Sequence, residues 1–318
     1  MGRYILKRLL MLIPVMLGVS LLVFLVTDLA PGDAVDMIAS TEMTLEQKEL
    51  LREEMGLNRN VFVRYLEYLW NMLHGDLGES YRTGADVFES YITRLPATAR
   101  LAVATTLVAV VLSIPLGIYS AKHRGSLADS AASIAALLGL SLPGFFIGLI
   151  LIIIFSLHLG WLDSGGDRSV TSIIMPAVSG AMCMLATMTR TTRSSMLDAL
   201  SMEHLDLARS KGVTEKTVIN KHALKNALIP ILTIVGTELG ASLGGSVVIE
   251  KLFSWPGVGT FIVDAVNNRD IPVVCGFVTL TTLLVTLVQL GVDILYAYID
   301  PRIKAKYAKQ GMKKSKNR

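Results

Sequence analysis

Serine, histidine, carboxylate and cysteine could carry covalent or acid–base chemistry, but in this 318-residue chain their spacing argues against it. The run 240-GASLG-244 matches Gly-x-Ser-x-Gly, the strained turn that exposes a nucleophilic serine in hydrolases. Such a serine needs a base within hydrogen-bond reach. The five histidines, at 74, 123, 158, 204 and 222, all fall in loops or at expected helix ends, so none is offered to Ser242. The glycines have a simpler reading: Gly236, Gly240 and Gly244 recur every fourth residue, a small-residue stripe that lets another helix pack closely. No catalytic residue is therefore expected.

Metal and nucleotide chemistry fare no better. Cys183 and Cys275 are too far apart for a recognisable ligand spacing, so no metal site is expected, and both read as small buried apolar residues. No stretch fits Gly-x-x-x-x-Gly-Lys-Ser/Thr, so the chain should hold no nucleotide cofactor and should not hydrolyse ATP unaided. Aromatic and basic residues do not alternate in the manner of a nucleic-acid surface. One acid stands out. Glu238 falls near the centre of an apolar run, where an ionised carboxylate costs at least about 2.5 kcal/mol. It either lines a polar pathway or gate, or makes a structural hydrogen bond to a neighbouring helix or subunit.

The elements around these residues are membrane spans. Hydrophobic residues make up 52% of the chain and come in blocks long enough to cross a bilayer, which takes roughly 20 helical residues. Six spans are predicted, at about residues 9–29, 97–121, 131–157, 173–189, 227–249 and 273–298. The first is longer than a secretory signal's core and is read as retained. Between the first two spans, residues 31–95 are charged, with acids in excess, and 44-TLEQKELLREEM-55 and 61-VFVRYLEYLWNML-73 read as helices of an extracytoplasmic insertion. Basic residues cluster at the start, at 122–124, over 190–225 and in the tail, and six spans place all of these on one side. This is the positive-inside pattern, which puts both termini in the cytoplasm. The organisation is thus an N-terminal end and first span over 1–30, the insertion over 31–95, a helical core over 96–300 and a basic tail over 301–318 that can touch anionic membrane lipid.

The core holds an unusual cytoplasmic segment at 201–226, within 203-EHLDLARSKGVTEKTVINKHALKNALIP-230. Ser201 can cap a helix with Glu203 and Asp206 early and Arg209 and Lys211 late, and Gly212 supplies a left-handed end. Thr214 can cap a second helix with Ile219, Ala223 and Ala227 on one stripe and Lys221 and Lys225 on another. The product is a helix, a glycine hinge and an amphipathic helix. It is either a helix resting at the interface or a dock for a soluble partner.

The run 206-DLARSKG-212 resembles the Glu-Ala-Ala-x-x-x-Gly loop of importer-type ABC permeases, and 222-HALKNALIP-230 looks like its continuation in the dipeptide and oligopeptide branch. Asp206-Leu207 stands where Glu-Ala is general, and Lys225 where the general pattern ends in proline. The same branch is matched by 31-PGD-33, 55-MGL-57, 74-HGDLGES-80, 94-RLPATARLA-102, 114-IPLGIYSAKHRGS-126, 189-TRTTRSSML-197, 253-FSWPGVG-259, 269-RDIPVV-274 and 300-DPR-302. The resemblance implies an all-α polytopic protein of the type I ABC importer permease fold in a bacterial inner membrane. It also implies a second homologous permease subunit forming a heterodimer, two cytoplasmic ATPases carrying ATP and Mg, and an extracytoplasmic peptide-binding protein. By the same resemblance Glu203, His204, Leu205, Asp206, Leu207, Ala208, Arg209, Ser210, Lys211 and Gly212 would sit in an ATPase cleft. A nickel or metal-chelate permease is the alternative cargo class. An ion-coupled secondary transporter is the alternative mechanism, although one central acid and no convincing repeat argue against it.

Overall fold

The computed structural model describes residues 2–29, 34–39 and 43–299. The matched runs at 31–33 and 300–302, the end of the core and the basic tail lie outside them. The described residues form helices α1 (Gly2–Leu29), α2 (Ala34–Ile38), α3 (Leu45–Glu54), α4 (Val61–Leu73), α5 (Val87–Lys122), α6 (Leu127–Ser141), α7 (Gly144–Leu151) and α8 (Ile174–Leu200). They continue with α9 (Glu203–Ser210), α10 (Glu215–Thr217), α11 (Leu224–Leu243), α12 (Val247–Leu252), α13 (Val258–Asn267) and α14 (Ile271–Ile299). Among the described residues five apolar helical stretches are long enough to cross a membrane. A sixth is bent by 98° between Ser141 and Gly144, where Pro143 cannot continue the ladder of α6.

Several expected boundaries move for physical reasons. The second span begins at Val87, because the helix runs through Pro96 without a break. The fourth continues past Thr189 to Leu200, since Thr192, Met196 and Ala199 keep the buried stripe going among its arginines. Apolarity alone could not see that. Side-chain expectations fail at Cys183 and Ser201. Cys275 is buried but Cys183 is exposed on α8. Ser201 does not cap α9 but closes α8, its hydroxyl bonding the Asp198 carbonyl at 2.9 Å, and Met202 takes the N-cap position with no side-chain bond.

The chain divides into two units. The first joins Met1–Arg100 to Leu243–Thr286. Its core packs Leu77, Val87, Tyr91, Val258 and Phe277, with Tyr91 edge-on to Phe277 at 5.2 Å. A Cβ on Gly276 would collide with Val87, so only glycine fits there. Buried Asp270 accepts from Ser80 Oγ at 2.5 Å and from the Tyr81 amide at 3.1 Å, fixing the turn before α5. The second unit joins Leu101–Ser242 to Leu287–Arg318. Here the glycine stripe does what its spacing implies: Gly236 lies against Val292 with no room for a side chain, and Gly240 would place a Cβ 3.2 Å from Gln289 Cγ. Gly244 falls beyond the end of α11 and takes no part. The run around Ser242 is therefore a packing surface for α14.

Candidate functional site

The segment Glu203 to Gly212 is a two-turn helix ended by a Schellman motif. The Gly212 amide donates to the Arg209 carbonyl at 2.9 Å and the Val213 amide to the Ala208 carbonyl at 3.2 Å. This pairing needs a left-handed residue at the position after the cap, and Gly212 has φ of +78°. Val213 and Ala208 also meet as apolar neighbours in the cluster beneath. Arg209 braces the joint. Its Nε and Nη2 donate to Glu215 at 3.2 and 3.1 Å, across the glycine, and its Nη1 donates to Asp206 at 2.8 Å. Those two carboxylates hold the guanidinium's pKa above its ordinary value, Glu215 contributing most. The expected hinge is thus a set elbow. Beyond it Thr214 occupies its expected N-cap position, but its hydroxyl meets Thr217 Oγ1 at 3.0 Å instead of capping an amide.

The elbow rests on a dry plate. Leu205 is fully buried, and it packs with Ala121 of α5, Met196 and Ala199 of α8, and Val218, Ile219, Ala223 and Ala227. The predicted apolar stripe Ile219–Ala223–Ala227 is therefore the buried one, and Lys221 and Lys225 are exposed. A π-helical turn over Val218–Ala223 leads into α11. The outer face of α9 carries Glu203, Asp206, Leu207 and Ser210, followed by Lys211, all exposed, with Leu207 at 58%.

A second clamp stiffens the same unit. Arg193 donates through Nε and Nη2 to the two carboxylate oxygens of Asp129, each at 2.7 Å. Asp129 also accepts from Ser120 Oγ at 2.5 Å and the Gly125 amide at 2.9 Å. One buried carboxylate thus ties the end of α5, the start of α6 and the middle of α8. This gives a physical role to the arginine of 189-TRTTRSSML-197, which the sequence offered only as a matching string.

Glu238 lies half-buried in the last third of α11, between Gly236 and Gly240, and not at the centre expected of it, because the helix stops at Leu243. The residue that sequence reasoning missed is Glu250, which is fully buried in the first unit. Its Oε1 accepts from Thr98 Oγ1 at 2.8 Å and its Oε2 from the Thr260 amide at 3.0 Å, while Thr98 Oγ1 accepts from the Val258 amide at 2.8 Å. The carboxylate thus satisfies the open amide end of α13, directly and through Thr98. Gly257 and Gly259 leave room for it, since a Cβ on either would fall 2.5 or 2.9 Å from its oxygens. Trp255 is pinned beside it, Nε1 donating to the Ala97 carbonyl at 2.9 Å. The available signal was a lone glutamate upstream of Trp-Pro-Gly-x-Gly.

Among the described residues no group of three or more His, Cys, Asp or Glu side chains is placed to hold a metal ion. What the molecule offers is bilayer-crossing helices and a braced surface helix.

Known proteins resemble this chain along nearly its whole length. Residues 113–305 match the family described as binding-protein-dependent transport system inner membrane component, and residues 1–102 match its N-terminal companion. The oligopeptide transport system permease protein AppB of Bacillus subtilis is 40% identical over 314 residues, spanning 95% of this chain and 99% of that protein. The glutathione transport system permease protein GsiC of Escherichia coli K12 is 39% identical over 306 residues, spanning 96% of this chain and all of that protein. Among solved structures, the inward-facing MetNI methionine ABC transporter aligns with a TM-score of 0.53 at 17% identity, covering 67% of this chain and 97% of that one, a likeness of fold. With bilayer-crossing helices throughout and both halves of the chain matched, this protein belongs to the inner-membrane permease components of binding-protein-dependent ABC transport systems.

Proposed function

We propose that this chain imports di- and oligopeptides handed over by an extracytoplasmic binding protein, and that the α9 elbow, Glu203 to Gly212, receives the motion of cytoplasmic ATPase subunits. It works as half of a heterodimer with a second, homologous permease, above two ATPase chains that carry ATP and Mg. Both termini and α9 face the cytoplasm, and residues 31–95 face outward, a placement that the distribution of lysine and arginine supports. The observation that carries the reading is the seating of α9: Leu205 is fully buried while Leu207 is 58% exposed among charges. A short helix anchored by an apolar face on one side, with a charged outer face around Leu207 on the other, is suited to being gripped and moved. ATP then shifts the inward-open and outward-open populations through contacts that differ between the two states. The names of the relatives, oligopeptide and glutathione permeases, support peptide cargo over a nickel chelate.

The test is purification in mild detergent from a cell that produces the whole system, then uptake in proteoliposomes. ATPase chains should co-purify, and labelled peptide should accumulate only with ATP and the binding protein. Uptake driven by an ion gradient without ATP would return the protein to the secondary transporters. Transport of a nickel chelate with no competition from peptide would overturn the cargo.

A further inference from the structure

Helix α4 has three faces, and each meets different surroundings. One packs on α1: Tyr65 Oη donates to the Leu17 carbonyl at 2.9 Å and lies 3.0 Å from Ser20 Oγ, and its ring meets Phe24 edge-on at 5.7 Å. Arg64, at the edge of that face, pairs with Asp28 at 2.6 Å. A second face turns Arg64, Glu67 and Asn71 toward a polar cavity of about 670 Å³, where Glu67 pairs with Arg59 at 2.9 Å. The third face is wholly apolar. Phe62, Val63, Leu66, Trp70 and Leu73 are exposed by 60, 47, 63, 65 and 77%. With about 3.6 residues per turn, these five share one continuous arc.

The spans serve as depth gauges. The apolar stretch of α1 ends at Leu29, itself 82% exposed. Phe24 lies about 7–8 Å inside that end and Ser20 about 13–14 Å inside, at the helical rise per residue. Phe24 packs with Ile271 and Cys275, so the start of α14 stands beside the end of α1. Tyr68 Oη lies 3.1 Å from Thr279 Oγ1, about 12 Å down α14 from Ile271. Part of this reach is the length of the tyrosine side chains. The axis of α4 therefore lies near the level of Phe24, alongside the spans and inside their ends.

We propose that α4 is embedded in the membrane interface, its Phe62–Leu66–Trp70–Leu73 face against the acyl chains of one leaflet and its Glu67–Asn71 face toward water. At this depth α1 also turns Leu22 and Val26 outward, and hydrocarbon is what surrounds a span there. The exposed arc holds no charge and carries one tryptophan, whose ring suits the headgroup boundary. The insertion after the first span thus has a lipid-seated floor under its polar cavity. The proposal is independent of the cargo and of the ATPase dock.

The assembled importer in proteoliposomes tests it, in a background of Cys183→Ser and Cys275→Ala that retains uptake. Spin labels are attached one at a time through Leu66→Cys, Leu73→Cys, Glu67→Cys and Asn71→Cys, and collision with oxygen is compared with collision with a water-soluble nickel chelate. Labels at 66 and 73 should favour oxygen and be shielded from the chelate, and labels at 67 and 71 should do the reverse, with or without the binding protein. In protein without labels, brominated lipid should quench part of the tryptophan emission, and Trp70→Phe should reduce that part, leaving what Trp161, also exposed, contributes. Chelate access at 66 and 73 would put the face in water and overturn the proposal. Labels there that are immobile and shielded from both reagents would mean a protein covers the face, which overturns it equally.

Discussion

The sharpest test of the elbow is a graded series at Gly212. A Cβ built there meets nothing within 4 Å, so any penalty comes from the backbone and not from a clash. At φ of +78° an L-residue with a side chain costs about 1–2 kcal/mol, with valine at the upper end and asparagine well tolerated. Abandoning the left-handed geometry would also forfeit the Val213 to Ala208 bond that turns the chain into α10. A cost of about 1–2 kcal/mol shifts a two-state population by roughly 5- to 30-fold. Gly212→Val should therefore lower peptide transported per ATP hydrolysed by that range, Gly212→Ala by about the lower figure, and Gly212→Asn hardly at all. The assay is labelled-peptide uptake and phosphate release in the same proteoliposomes, with membrane content measured for each variant. Normal coupling in the valine variant would refute the reasoning, as would an asparagine variant as damaged as valine.

Four further outcomes are expected. Glu250→Ala leaves the Thr98 hydroxyl and the Thr260 amide without an acceptor, at about 1–3 kcal/mol for each buried group, and Glu250→Gln restores one of them. Thermal unfolding in detergent should rank wild type above Gln and Gln above Ala, and equal midpoints would remove the clamp. The hydroxyls of Ser169 and Ser172 hold the Asp163 carboxyl below the ordinary carboxylate range. Ordering of the 163–172 loop should thus be complete above that ordinary value and fall away as pH drops through the lowered one, a response that Asp163→Asn flattens in hydrogen exchange. If Glu238 lines the pathway, Glu238→Gln should change uptake more than assembly, whereas an assembly defect alone assigns it a structural bond. Leu205→Ala should cost about 2–5 kcal/mol, as a fully buried leucine does, and should reduce ATPase co-purification, while Arg209→Ala should leave folding nearly intact and reduce coupling.

The sequence was legible where one physical rule dominated. Apolar length placed the spans, and the φ freedom of glycine placed Gly212, because neither depends on distant residues. Periodicity placed Ile219, Ala223 and Ala227 on the buried side of their helix for the same reason. Where several parts of the chain must meet, the strings were mute. Glu250 needs Thr98 from another helix and two glycines from the following turn to become a clamp, and Asp129 needs Arg193. Ser201 satisfied the preference for an N-cap, yet the longer α8 claimed it first. The continuation of α8 to Leu200 was hidden because its buried stripe, not its mean apolarity, sustains it.

A helix with the role proposed for α9, passing on a partner's motion, must be stiffer than the joint it drives. Eight residues are too few for α9 to be stable by propensity, since isolated helices below about 12 residues are marginal in water. Its rigidity has to come from its surroundings, and three contacts provide it: Leu205 in the plate, the closed amide pairing at Gly212, and Arg209 spanning the turn to Glu215. Exposed ion pairs add little to stability, so the Arg209 brace matters for the angle it sets. The same plate contains Ala121 and Met196, which belong to α5 and α8, and Asp129 and Arg193 lock those two helices together nearby. A push on α9 therefore reaches three bilayer-crossing helices, α5, α8 and α11, through close-packed side chains. That is why a glycine with no neighbours of its own is the position where the coupling should be most easily lost.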